Sequence, residues 1–159
     1  DRFVRIKGEP NGKKYLLLKL INFNSEIIIN LNEPFENLNK GDYLRSSLRV
    51  LKRNGILRIA VPDFKSCAEL YLQGQFTLDN FLGPLYGKMN MGKELIYHKT
   101  TFDFDSLKKV LKKVGMKNIF IYDWRKTEHA KFDDHSQAYL PHMDKENGKL
   151  ISLNVESHK

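Results

Sequence analysis

The stretch from Leu48 to Phe64, LRVLKRNGILRIAVPDF, constrains this chain more than any other. It reads as a helix end, a turn and a buried strand that stops at a proline. Leu44, Leu48 and Leu51 recur at i, i+4 and i+7, the apolar stripe of an amphipathic helix over residues 39 to 53. Asn54-Gly55 supplies the left-handed residue on which such a helix ends. Ile56 to Val61 is apolar apart from Arg58, as suits a strand covered on both faces. Pro62 has no amide proton to give a ladder, so Asp63 is expected just past the carboxyl end of that strand. In open α/β sheets this is the edge at which ligands bind.

The remaining segments arrange themselves around this unit. Tyr15 to Phe23 (YLLLKLINF) and Glu26 to Leu31 (EIIINL) are apolar strand candidates, the second ended by Pro34. Phe64 to Gly74 predicts a short helix, and residues 75 to 99, rich in glycine and proline, either a long loop of the kind that serves as a lid or binding segment or a partly helical one. Phe102 to Gly115 (FDFDSLKKVLKKVG) is the clearest helix. Asp103 caps it, Leu107, Val110, Leu111 and Val114 form its apolar stripe, and Gly115 stops it. Met116 to Trp124 and Leu150 to Val155 predict strands, separated by a polar, histidine-rich connection. No helix separates the last two strands, so they are expected to be antiparallel. Helices alternating with strands from residue 40 onward favour a mainly parallel α/β sheet.

Composition sets the limits. At 159 residues the chain fits one domain, and 41% hydrophobic content is that of a globular protein. There are 27 lysines and arginines against 19 acidic residues, a net charge of +8. The basic residues are scattered, with no run of five like charges, which argues for a solvated surface and against a nucleic-acid partner. No apolar run approaches the roughly 20 residues of a membrane span. The single cysteine, Cys67, excludes an intrachain disulfide and suits a reducing, cytoplasmic compartment. Nothing around it activates a thiol, so it reads as a small buried hydrophobe.

The order helix, LRVLKRNGILRIAVPDF, helix, strand, strand resembles the carboxyl-terminal half of class I S-adenosylmethionine-dependent methyltransferases. The closer similarity is to a branch of predicted methyltransferases linked to polysaccharide biosynthesis. YHKTTFDFDSLKKVLKKVG (residues 97 to 115) and FDDHSQAYLPHMDKENGKLISLNVE (residues 132 to 156) carry the likeness, which is specific through residues 41 to 156. The resemblance implies a doubly wound, mainly parallel Rossmann-like sheet with an antiparallel last strand and S-adenosyl-L-methionine as cofactor. The amino-terminal half departs from it. Tyr15-Leu16-Leu17 resembles the start of the first strand, yet no glycine follows until Gly41, and the fourth strand is absent. Either segments are skipped near 17–18 and 34–35, or the chain is a shortened relative.

The resemblance also implies site residues. Asn24, with Glu26 two residues on, matches the position that accepts the cofactor ribose hydroxyls; Asn30, before Leu31, falls near the adenine. On the acceptor side Asp63 and His98 are the catalytic candidates, a histidine being able to take a proton near neutrality. The competing role for Asp63 is a cap on the following helix. Tyr97, Asp134, His135 and Tyr139 are candidate substrate contacts. The acidic and imidazole residues from Asp133 to Asp144 match no standard zinc spacing, so no metal is expected. The function implied is methyl transfer to a small-molecule or saccharide acceptor. The alternative is a non-catalytic binding or scaffolding module, and either allows a homo-oligomer.

Overall fold

The computed structural model describes residues 17–21, 26–30, 51, 53–87, 89–90, 95–96, 100–131 and 133–159, the first two segments and residues 89–90 and 95–96 by backbone alone. Strands β1 (Leu17–Ile21), β2 (Glu26–Asn30), β3 (Ile56–Pro62), β6 (Lys117–Ile121) and β9 (Ser152–His158) form one sheet in the order β1-β2-β3-β9-β6. Two-residue strands pair off separately: β4 (Met89–Asn90) with β5 (Leu95–Ile96), and β7 (Tyr139–Leu140) with β8 (Lys149–Leu150). Helix α1 covers Phe64–Leu72 and α2 covers Phe104–Lys113.

The pairing corrects the expected architecture. β1–β2, β3–β9 and β9–β6 are antiparallel, and only β2–β3 is parallel, so the sheet is mixed and not a doubly wound, mainly parallel Rossmann-like one. The reason lies in the connections. Only residues 22–25 join β1 to β2, too few for a parallel crossover, which takes a dozen or more residues. β1 also runs unbroken through Leu17 and Leu18, which pair with Asn30 and Ile29. The last strand is antiparallel to both of its neighbours, as the lack of a connecting helix requires.

The central stretch folds with one shift of detail. Asn54, at φ 63°, takes the left-handed turn conformation assigned to the Asn54-Gly55 pair. β3 then alternates faces. Leu57, Ile59 and Val61 point to one side, opposite Ser157, Val155 and Leu153 of β9, and join the main core cluster with Leu107, Leu111 and Met116. The helix expected over residues 39 to 53 lies outside the described residues apart from Leu51 and Arg53; Leu51 is in that core.

α2 forms where its sequence predicts. Leu107 and Leu111 are fully buried, and Val110 and Val114 pack beside them. Asp103 accepts from the Ser106 amide at 2.8 Å, and Ser106 Oγ accepts from the Asp103 amide at 3.1 Å, a reciprocal capping box. At the other end Gly115, at φ 93°, lets its amide reach Lys112 O and the Met116 amide reach Leu111 O, which closes the last turn of the helix. Replacing Asp103 with alanine removes the cap and is expected to cost about 1 kcal/mol. Urea unfolding with an unchanged slope would measure it, and an unaltered midpoint would show that the box carries no stability.

The second sheet face is polar. Arg58 and Ala60 on β3 lie opposite Glu156 and Asn154 on β9. The segment that covers them is a run of 3-10 turns over Trp124–Lys126, Glu128–Lys131 and His135–Gln137. Ser136 and Gln137 are buried there, and Asn154 Nδ2 donates to Ser136 O at 2.8 Å. Among the described residues no helix is long and apolar enough to cross a membrane.

Candidate functional site

A cavity of about 570 Å³ opens at the carboxyl end of β3, within the size range of small-molecule sites. Ala60, Val61 and Pro62 form its floor, and Gly83, Pro84 and Gly87, beyond α1, form one side. The other side is the segment 133–143, which contributes Asp133, Asp134, His135, Gln137, Tyr139, Leu140, His142 and Met143, with Ile151 and Ser152 beside it. The position follows from the sequence: Pro62 ends β3, and the histidine-rich connection folds back over that end.

Three of the substrate candidates, Asp134, His135 and Tyr139, meet in this wall. Asp63 does not line it. Its Oδ1 accepts from the Lys65 amide at 3.1 Å and its Oδ2 from Ser66 Oγ at 2.7 Å, so the carboxylate serves as the amino-terminal cap of α1, the structural role that competed with catalysis. His98, Tyr97, Asn24 and Leu31 lie outside the described residues. Asn30 and Glu26 are placed by backbone register. Asn30 pairs with Ala60, at the cavity's edge of the sheet, whereas Glu26 pairs with Ile56 at the far end of β2. They are four steps apart along the strand, roughly 13 Å, so Glu26 does not share that edge with Asn30.

Asp134 is the most constrained group in the wall. Its Oδ1 accepts from the Ser136 amide at 2.8 Å and from Ser136 Oγ at 2.5 Å. Its Oδ2 lies 3.2 Å from Nδ1 of His129, a ring that is 1% exposed. That contact has ion-pair distance without good hydrogen-bond alignment, and neither ring nitrogen of His129 has a hydrogen-bond partner. Burial pushes the Asp134 carboxyl up, but the interactions with His129 and Ser136 outweigh it and hold the group below its ordinary range. A carboxyl depressed in the folded state stabilises the fold above the ordinary carboxylate range. That contribution is lost as pH falls through the folded value.

Behind Asp134 lies a polar layer that sequence reasoning missed. Arg58 Nε donates to Glu156 Oε2 at 2.8 Å, and the Arg58 guanidinium sits 5.3 Å from the centre of the Tyr122 ring. Tyr122 meets His129 edge to face at 6.0 Å. Burial, then the Asp134 charge, push the Tyr122 phenol well above its usual range, so it stays protonated. Arg58 was visible as the one charge in an apolar run, but its partner Glu156 lay just past the predicted end of the last strand. Nothing local to His129 marks it.

Cys67 packs with Leu70, Phe81, Leu140 and Ile151 in a second core cluster. Burial, and then the nearby Asp63 charge, push its thiol up to about 11. Native protein is therefore expected to resist a disulfide-exchange reagent and to react only as fast as it unfolds. Rapid labelling of folded protein would contradict the burial. Among the described residues no group of three or more histidine, cysteine, aspartate or glutamate side chains is arranged to hold a metal.

Comparison with known proteins gives no match: no family model, curated protein or solved structure is similar to this chain.

Proposed function

We propose that the chain binds a small molecule in the cavity beyond β3 and transfers a methyl group to it from S-adenosyl-L-methionine, the acceptor being a small molecule or saccharide. One observation carries the reading. The segment 133–143, within the stretch most similar to the methyltransferase branch, folds over the end of β3 and closes the cavity with Asp134, His135 and Tyr139 in its wall. Asn30, the residue matched to the adenine, sits at the same sheet edge through its pairing with Ala60. Methyl transfer from a sulfonium asks mainly for an acceptor held in line, and positioning of that kind lowers a barrier by roughly 7–11 kcal/mol. Asp134 and His135 would orient the acceptor. A calorimetric titration with S-adenosylhomocysteine tests the cofactor half; absence of heat at millimolar ligand sinks it.

A second reading, a non-catalytic binding module on the same cavity, is favoured by the mixed sheet, in which β1 pairs antiparallel with β2 and only β2 and β3 run parallel. Under that reading small ligands bind the cavity, S-adenosylhomocysteine does not, and no methyl group is transferred.

A further inference from the structure

The direction of one hydrogen bond fixes what Ser152 offers the cavity. Asn154 is 1% exposed, and its side-chain amide fits only one way round. The group that meets Ser136 O at 2.8 Å is Nδ2, because a backbone carbonyl can only accept. Oδ1 therefore faces Ser152 Oγ, at 2.9 Å. An amide oxygen has no hydrogen of its own, so the Ser152 hydroxyl must donate to it. Oγ then has no hydrogen left to give, only lone pairs with which to meet a ligand.

The register puts this hydroxyl at the floor of the cavity. β9 pairs Ser152 with Pro62 and Asn154 with Ala60, and Ala60, Pro62 and Ser152 all line the cavity. The residue before it is pinned at both backbone groups. The Asp63 amide donates to Ile151 O at 2.8 Å, and the Ile151 amide donates to Ala138 O at 2.9 Å. Ser152 is thus a preset acceptor beside the apolar side chains of Val61, Leu140 and Ile151.

We propose that Ser152 selects cavity ligands that present a hydrogen-bond donor, a hydroxyl or an N–H, and disfavours the same molecule with that hydrogen replaced by methyl. The inference rests on reading the cavity as the acceptor site, where it makes Ser152 a specificity determinant that favours a free hydroxyl over its methyl ether. Against an ether oxygen the Ser152 lone pairs have no partner, and an unmade bond to a buried group costs more than a made one contributes.

The test is a calorimetric titration of the full chain with phenol and with anisole, which differ by that one methyl group. Phenol is expected to bind more tightly although anisole has the larger apolar surface, and Ser152→Ala to lower the phenol-to-anisole affinity ratio by roughly three- to tenfold. Asn154→Ala frees the hydroxyl hydrogen to be given to an ether, so it is expected to lower the ratio as well. The comparison in the unaltered protein stands even if neither variant folds. Anisole binding as tightly as phenol overturns the proposal. So does an unchanged ratio in either folded variant, or no binding of either probe at millimolar concentration. A phenol preference without binding of S-adenosylhomocysteine supports the selection and removes methyl transfer, so the two claims fail separately.

Discussion

Glu156→Ala is expected to destabilise the protein by about 3–5 kcal/mol, the cost of breaking a buried ion pair by removing one partner. The Arg58 and Glu156 side chains are 14% and 10% exposed and meet at 2.8 Å in the polar layer between the sheet and the 3-10 turns. His158 Nε2 approaches the second carboxylate oxygen at 3.1 Å. Alanine would leave the Arg58 charge in that layer without the carboxylate. For a chain of this size the loss lowers Tm by roughly 2–4 °C per kcal/mol. Replacing both residues with apolar ones of similar volume is expected to recover most of it, because the penalty is a buried charge deprived of its carboxylate and not the missing attraction. A Glu156→Ala protein within 0.5 kcal/mol or so of the parent would place this pair at an unstrained surface instead.

Leu111→Ala is the other large effect, expected at about 2–5 kcal/mol. Leu111 is fully buried against Leu57, Ile59 and Val155. Its carbonyl also accepts from the Met116 amide where α2 ends at Gly115. Truncation therefore opens a cavity at the junction of α2 with β3 and β9. Val110→Ala, half-buried at the margin of the same cluster, should cost clearly less, and equal losses at the two positions would refute the packing described here.

The elements most legible in the sequence are those whose signals are local. α2 declared itself by a cap at Asp103, a stripe at Leu107 and Leu111 and a stop at Gly115, and all of these are present. β3 was legible as an apolar run between a turn and a proline. The sheet was not, because pairing direction is set by partners far apart in sequence. Residues 22–25 are too few to connect parallel strands, so the antiparallel pairing of β1 with β2 was a part of the sheet legible in spacing. The cavity was half legible. Asp134, His135 and Tyr139 stand out as a dense polar run, and they do line it. Asp63 was ambiguous for a physical reason: an aspartate between a strand end and a helix start serves a ligand or the helix that follows, and here it accepts from Lys65 N and Ser66 Oγ. His129 could not be found from sequence, since only the fold brings it to Asp134.

The measurement that tests the account most directly is backbone amide shift mapping of the full chain during titration with S-adenosylhomocysteine. Saturable shifts at Ala60, Val61, Tyr139 and Ser152, and along residues 133–140, are the expected result, because the cofactor must present its methyl group to the cavity those residues line. Shifts confined to other parts of the chain, or none at millimolar ligand, would contradict it.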